Sequence, residues 1–82
     1  MSDYEKKRLD AEFKKFTSSN FEAPANCRNI DQIRFYVKEL CVKIDEYEKR
    51  FSYVPQWAYL LLAQYNLEQN KLLYIDFQKA YA

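Results

Sequence analysis

Glycine is missing from this chain altogether, and so is histidine; proline occurs only as Pro24 and Pro55. Tight β-turns usually need glycine for positive φ, so an 82-residue domain without it is not built of hairpins and short strands. No glycine-rich phosphate loop is possible either. The lack of histidine removes the commonest general base and the commonest metal ligand. Charge of one sign is missing too. Thirteen basic and twelve acidic side chains leave a net charge of +1, which makes no global electrostatic case for nucleic acid or an acidic membrane. The opening MSDYEKKRLDAEF is mixed in charge and has no apolar core, so it does not read as a signal peptide. The longest apolar run falls far short of the ~20 residues that cross a bilayer.

Cysteine is scarce, with Cys27 and Cys41 alone. If residues 30–41 are helical, Cys41 lies roughly 16–20 Å along the axis from the helix start, at about 1.5 Å per residue. Cys27 precedes that start. A disulfide needs Cα atoms within about 7 Å, so reduced thiols in a cytoplasmic setting are expected.

The strongest pattern that is present lies in NIDQIRFYVKELCVKIDEYEKRF. Ile30, Ile33, Val37, Leu40, Ile44, Tyr47 and Phe51 alternate at spacings of three and four, which predicts an amphipathic helix over about 30–51. Asn29 is a suitable N-cap with Gln32 in the capping-box position. Asp31 in the first turn and Lys49 and Arg50 in the last suit the helix dipole. Phe35, Tyr36, Cys41 and Val42 widen the apolar surface, as for a central helix between two neighbours. Val54 and Pro55 end this element, and Pro55 suits the first turn of the next.

That next helix begins PQWAYLLLAQYNLEQN, and KLLYIDFQKAYA resumes with Leu73, Phe77, Ala80 and Tyr81 on one face. Asn70 is able to take a left-handed capping conformation, so a helical hairpin over about 55–81 with a turn near 68–71 is expected. A single helix over 55–82 is the alternative, because neither glycine nor proline forbids it. At the other end Ser2 caps a helix with Glu5 in the capping-box position, and Leu9, Phe13 and Phe16 line its apolar face. The chain thus reads as one all-α domain, 1–82, of three to four helices. Residues 1–17 form the N-terminal helix, 18–28 a loop pinned by Phe21, and 29–82 the helical core.

PQWAYLLLAQYNLEQNKLLYIDFQKAYA resembles a tetratricopeptide helix pair over about a third of the chain. Trp57 and Leu60 stand at the spacing of that repeat's first-helix tryptophan and leucine. Phe77 and Ala80 fit its second helix, and FQKAY resembles its ending. Leu61 replaces the small residue at the helix crossing, Tyr65 is one position late, and Leu73 stands where alanine is usual. The resemblance implies a helical hairpin and carries over no activity.

Eight Tyr, six Phe and one Trp make 18% of the chain, enough to ask whether one small core can use them all. Tyrosine suits surfaces that are wet in one state and covered in another, and aromatics are enriched at interfaces. Residues 57–63 are apolar on more than one side. Trp57 reads as core, with Leu60, Leu61 and Tyr65 facing one way and Tyr59 and Leu62 another. The expected function is a non-catalytic protein-interaction module: an adaptor, a small chaperone or an inhibitor-like regulator. It would bind a protein partner or itself, as a homo-oligomer or hetero-complex, with Tyr59, Tyr74 and Tyr81 at the interface. No enzyme, cofactor, metal or membrane role is expected. The competing reading is a nucleic-acid-associated regulator using Lys6, Lys7, Arg8, Lys14 and Lys15 against phosphates. The mixed charge of residues 2–16 argues against it, since a DNA-reading helix presents a cleaner basic stripe.

Overall fold

The computed structural model describes residues 2–81, leaving the Tyr81 side chain aside. Among these residues the chain forms three α-helices, α1 (Asp3–Asn20), α2 (Ile30–Phe51) and α3 (Gln56–Tyr81), with one 3₁₀ turn at Pro24–Asn26 between the first two. The caps are those the side chains favour. The Glu5 amide donates to Ser2 Oγ at 3.2 Å, and Asn29 Oδ1 accepts from the amides of Asp31 (2.8 Å) and Gln32 (3.4 Å). The C-terminal end of α2 falls to Ser52, which takes φ 51° and donates its amide to Glu48 O at 2.9 Å. A glycine would hold that left-handed turn without strain; serine holds it at a cost of about 1–2 kcal/mol.

The expected boundaries change in two places. α1 runs to Asn20 rather than ending at 17. Its last turn is tied back by Thr17 Oγ1 to Lys14 O (3.0 Å) and Asn20 Nδ2 to Phe16 O (2.8 Å), and Thr17 is buried. The larger correction is at 68–71. There is no hairpin turn: Gln56–Tyr81 is one helix, as the alternative had it. Asn70 is only mildly unfavourable inside a helix, its neighbours Glu68, Gln69 and Lys71 are good helix formers, and nothing there demands positive φ. The tetratricopeptide resemblance fails at the same point, since it requires two helices where one continues.

Pairs of rings show how the helices run. Phe13 meets Tyr47 (5.1 Å) and Trp57 (5.4 Å), Tyr36 meets Tyr65 (5.6 Å), and Phe21 meets both Tyr36 (4.7 Å) and Tyr65 (6.1 Å). α2 and α3 are therefore antiparallel, and α1 lies over the groove between them, antiparallel to α2. Most of these ring pairs are edge-to-face, the geometry the ring quadrupole favours. Leu9, Phe13, Ile33, Tyr36, Leu40, Ile44, Tyr47, Ala58 and Tyr65 form the buried centre. Trp57, Val37, Leu61, Leu62 and Leu72 pack around it half-buried. The α2 seam is thus the spine of the fold. Its expected widening is covered only at Tyr36; Phe35, Cys41 and Val42 are exposed, because none of the helices among the described residues covers them.

The molecule is long, 55 × 21 × 15 Å, with a radius of gyration of 15.1 Å. A compact chain of this length would have ~12 Å. The excess comes from the helix ends that overhang. Residues 3–8 of α1 and 73–80 of α3 are exposed throughout.

Candidate protein interface

α3 is placed by its packing on α2, by the Pro24–Asn26 turn beside Gln64, Leu67 and Glu68, and by three anchors. Its first turns lie under Phe13 through Trp57. Tyr65, 1% exposed, anchors its middle: the phenol donates to Glu22 O at 2.5 Å and so ties α3 to the loop after α1. Further on, Leu72 packs near the start of α2, beside an open cleft of ≈ 560 Å³ lined by Arg28, Asp31, Arg34, Leu73 and Asp76 among others. These contacts use one side of the helix. Ala58, Leu61, Tyr65 and Leu72 repeat at helical spacing and define it.

The opposite side carries a second, outward seam. Leu60, Ala63, Leu67, Asn70, Tyr74 and Phe77 follow one another at spacings of three and four, and position 81 continues the register. All six are exposed, with Leu60 at 61%, Leu67 at 54%, Tyr74 at 61% and Phe77 at 60%. Tyr59 (49%) and Leu73 (40%) stand along one edge. The edges carry almost no charge: Gln64, Asn66 and Gln78 are neutral, and Lys71 is drawn to Glu68 at 3.3 Å.

Of the interface residues expected from sequence, Tyr59 and Tyr74 are both on this outward side, exposed. The Tyr81 side chain lies outside the described residues. Leu60, grouped by the sequence with Leu61 and Tyr65, parts from them and begins the outward seam. Leu67 and Phe77 escaped the tyrosine-based reading, although the three-four spacing that marks them is present in the sequence. It was hidden because the inward residues share the same helix.

The basic residues of α1 do not form one stripe. Lys6, Lys7, Arg8, Lys14 and Lys15 are exposed around more than half of the helix, among Asp3, Glu5, Asp10 and Glu12. Arg8 approaches Glu12 at 4.0 Å, and Lys6 lies 5.8 Å from the Tyr53 ring centre. Among the described residues, no three His, Cys, Asp or Glu side chains gather as a metal site.

Comparison with protein-family models, with curated proteins and with solved structures found no match. The functional reading therefore rests on the geometry above. No helix among the described residues is long and apolar enough to cross a membrane.

Both cysteines are free thiols, Cys27 buried and Cys41 exposed. Burial pushes the Cys27 thiol pKa up, helped by the Glu22 and Glu68 carboxylates, so it resists forming the reactive thiolate. Burial also pushes the Tyr65 phenol up to about 12, with Cys27, Tyr36 and Glu22 adding to the effect. The folded state thus favours the neutral phenol. Its contribution to stability is fully present below the ordinary tyrosine value near 10 and is lost as pH rises toward about 12. Denaturant midpoints followed across that range should fall, and Tyr65→Phe should flatten the fall. A residual slope is expected from Cys27 and Tyr47, both also raised by burial. An unchanged slope in Tyr65→Phe would contradict the anchoring role.

Proposed function

We propose that the protein is a non-catalytic protein-interaction module, an adaptor, small chaperone or inhibitor-like regulator, working through the outer face of α3. One observation carries this reading: a helix braced on one side by its own domain presents on the other a nearly uncharged seam, aliphatic and aromatic but for Asn70. Monomers seldom leave a contiguous apolar surface of several hundred Å² without a use for it. Tyr59 and Tyr74 are the contacts of choice, since a phenol tolerates water before binding and burial after it. The free, buried Cys27 fits a reducing, cytoplasmic setting.

The test is affinity capture from the native lysate with wild type and with Tyr59→Ser/Tyr74→Ser. Both positions are exposed, so the variant should fold as wild type does. Loss of a captured or self-associated species in the variant supports the reading. Equal behaviour of the two proteins overturns it. Salt-sensitive retention on DNA or heparin, abolished by neutralising Lys6, Lys7 and Arg8, would instead point to the nucleic-acid role.

A further inference from the structure

We infer that the outward seam of α3 pairs with the same seam of a second copy of this chain, the two helices antiparallel. This rests on the interaction-module reading and names its partner. Three observations carry it. The first is the register. Leu60, Ala63, Leu67, Asn70, Tyr74 and Phe77 hold the heptad spacing that keeps one face toward a helical partner over its whole length. A surface helix with no such partner has no reason to keep two seams back to back.

The second is size. The seam is narrow at its start, with Leu60, Ala63 and Leu67, and bulky at its end, with Tyr74 and Phe77. A parallel pair would set Ala63 against Ala63 and leave a void. It would also set Tyr74 against Tyr74 and Phe77 against Phe77, and crowd them. Reversing one helix about a two-fold axis between Leu67 and Asn70 sets Leu60 against Phe77, Ala63 against Tyr74 and Leu67 against Asn70. Every layer then pairs a smaller side chain with one that fills its space, as close packing requires. Asn70 lies beside the two-fold, where a polar group disfavours slipped registers. The helix dipoles also oppose one another favourably.

The third is area and charge. The six exposed apolar side chains of the seam and its edge, Tyr59, Leu60, Leu67, Leu73, Tyr74 and Phe77, offer on the order of 600 Å² per copy, with aromatics contributing most. Two copies then bury about 1,200 Å², the lower edge of a specific interface. Their edges bring no like-charged rows together, because Lys71 is the one cation among the edge positions and Glu68 is beside it. Pairing also explains the overhang. The exposed last turns of α3 would rest on the partner's first turns, which α1 and α2 brace from behind.

Sedimentation equilibrium of the full chain across a concentration series is the test. A mass approaching twice the 10.0 kDa chain mass is expected. Leu67→Glu should weaken association by ~10-fold or more, while its melting curve at concentrations where wild type is monomeric stays unchanged, since Leu67 is exposed. The geometry is tested by exchange of sizes. Ala63→Tyr alone should weaken the dimer, by setting tyrosine against Tyr74, and Ala63→Tyr/Tyr74→Ala should restore it. Strengthening by Ala63→Tyr alone would show parallel pairing and overturn the antiparallel assignment. A chain that stays at 10.0 kDa throughout overturns self-pairing. If that monomer still captures a protein and loses it on Leu67→Glu, the interaction-module reading survives without the second copy.

Discussion

Replacing Phe13 with alanine is expected to destabilise the protein by about 3–5 kcal/mol. Phe13 is fully buried, and its ring is held edge-on by Phe16 (6.3 Å), Tyr47 (5.1 Å) and Trp57 (5.4 Å). Its ring thus pairs with rings on both other helices. Removing it loses the transfer energy of the ring and the edge-to-face contacts, and leaves a void that stiff aromatic neighbours cannot close. Small domains carry ~0.05–0.15 kcal/mol of stability per residue, so a loss of this size approaches the whole. Urea melts should show a much lower midpoint, with near-ultraviolet signals from Trp57 lost before the far-ultraviolet helical signal. A variant whose melt overlays wild type would mean that α1 is not held as described.

Leu40→Ala is expected to cost about 2–5 kcal/mol. Leu40 is 0% exposed at the middle of the α2 seam, between Ile33, Tyr36 and Ile44 in the buried cluster. The control lies two residues away. Val42, on the same helix and also apolar, is 58% exposed, so Val42→Ala should shift the melt by no more than about 0.5 kcal/mol. Comparable losses at the two positions would mean that α2 is covered on two sides and that the single seam is wrong.

α2 was legible because its evidence is local. The three-four spacing, the Asn29 cap and the Val54–Pro55 stop all lie within the helix or next to it, and the observed bounds Ile30–Phe51 follow them. The end of α1 was less so. Thr17 and Asn20 favour loops by propensity, and the burial of Thr17 under distant residues decides otherwise. The hairpin expectation gave Asn70 the role of a stop, but asparagine stops a helix only where the chain beyond it gains by turning. Glu68, Gln69 and Lys71 favour the helix and nothing there demands positive φ, so the helix continues. The outward seam was half legible: tyrosines drew attention to Tyr59 and Tyr74, while Leu60 was grouped on one side with Leu61 and Tyr65. Deciding which of two apolar sides a helix buries needs its neighbours, and α1 meets α3 through a ring pair, Phe13 and Trp57, that sequence spacing does not reveal.

Those rings also bear on the order in which the fold assembles. α2 and α3 meet across residues 52–55, whereas the ties that hold α1, Tyr53 to Asp10 and Tyr65 to Glu22, each join residues 43 apart. Closing the short link costs little chain entropy, and the long closures cost more. The α2–α3 pair is thus the element to form first, and α1 the last to arrive and the first to leave. Trp57, the chain's one tryptophan, sits against Phe13 at that late contact. Stopped-flow tryptophan emission should therefore lag the far-ultraviolet helical signal during refolding, and coincident traces would show that the three helices come together in one step.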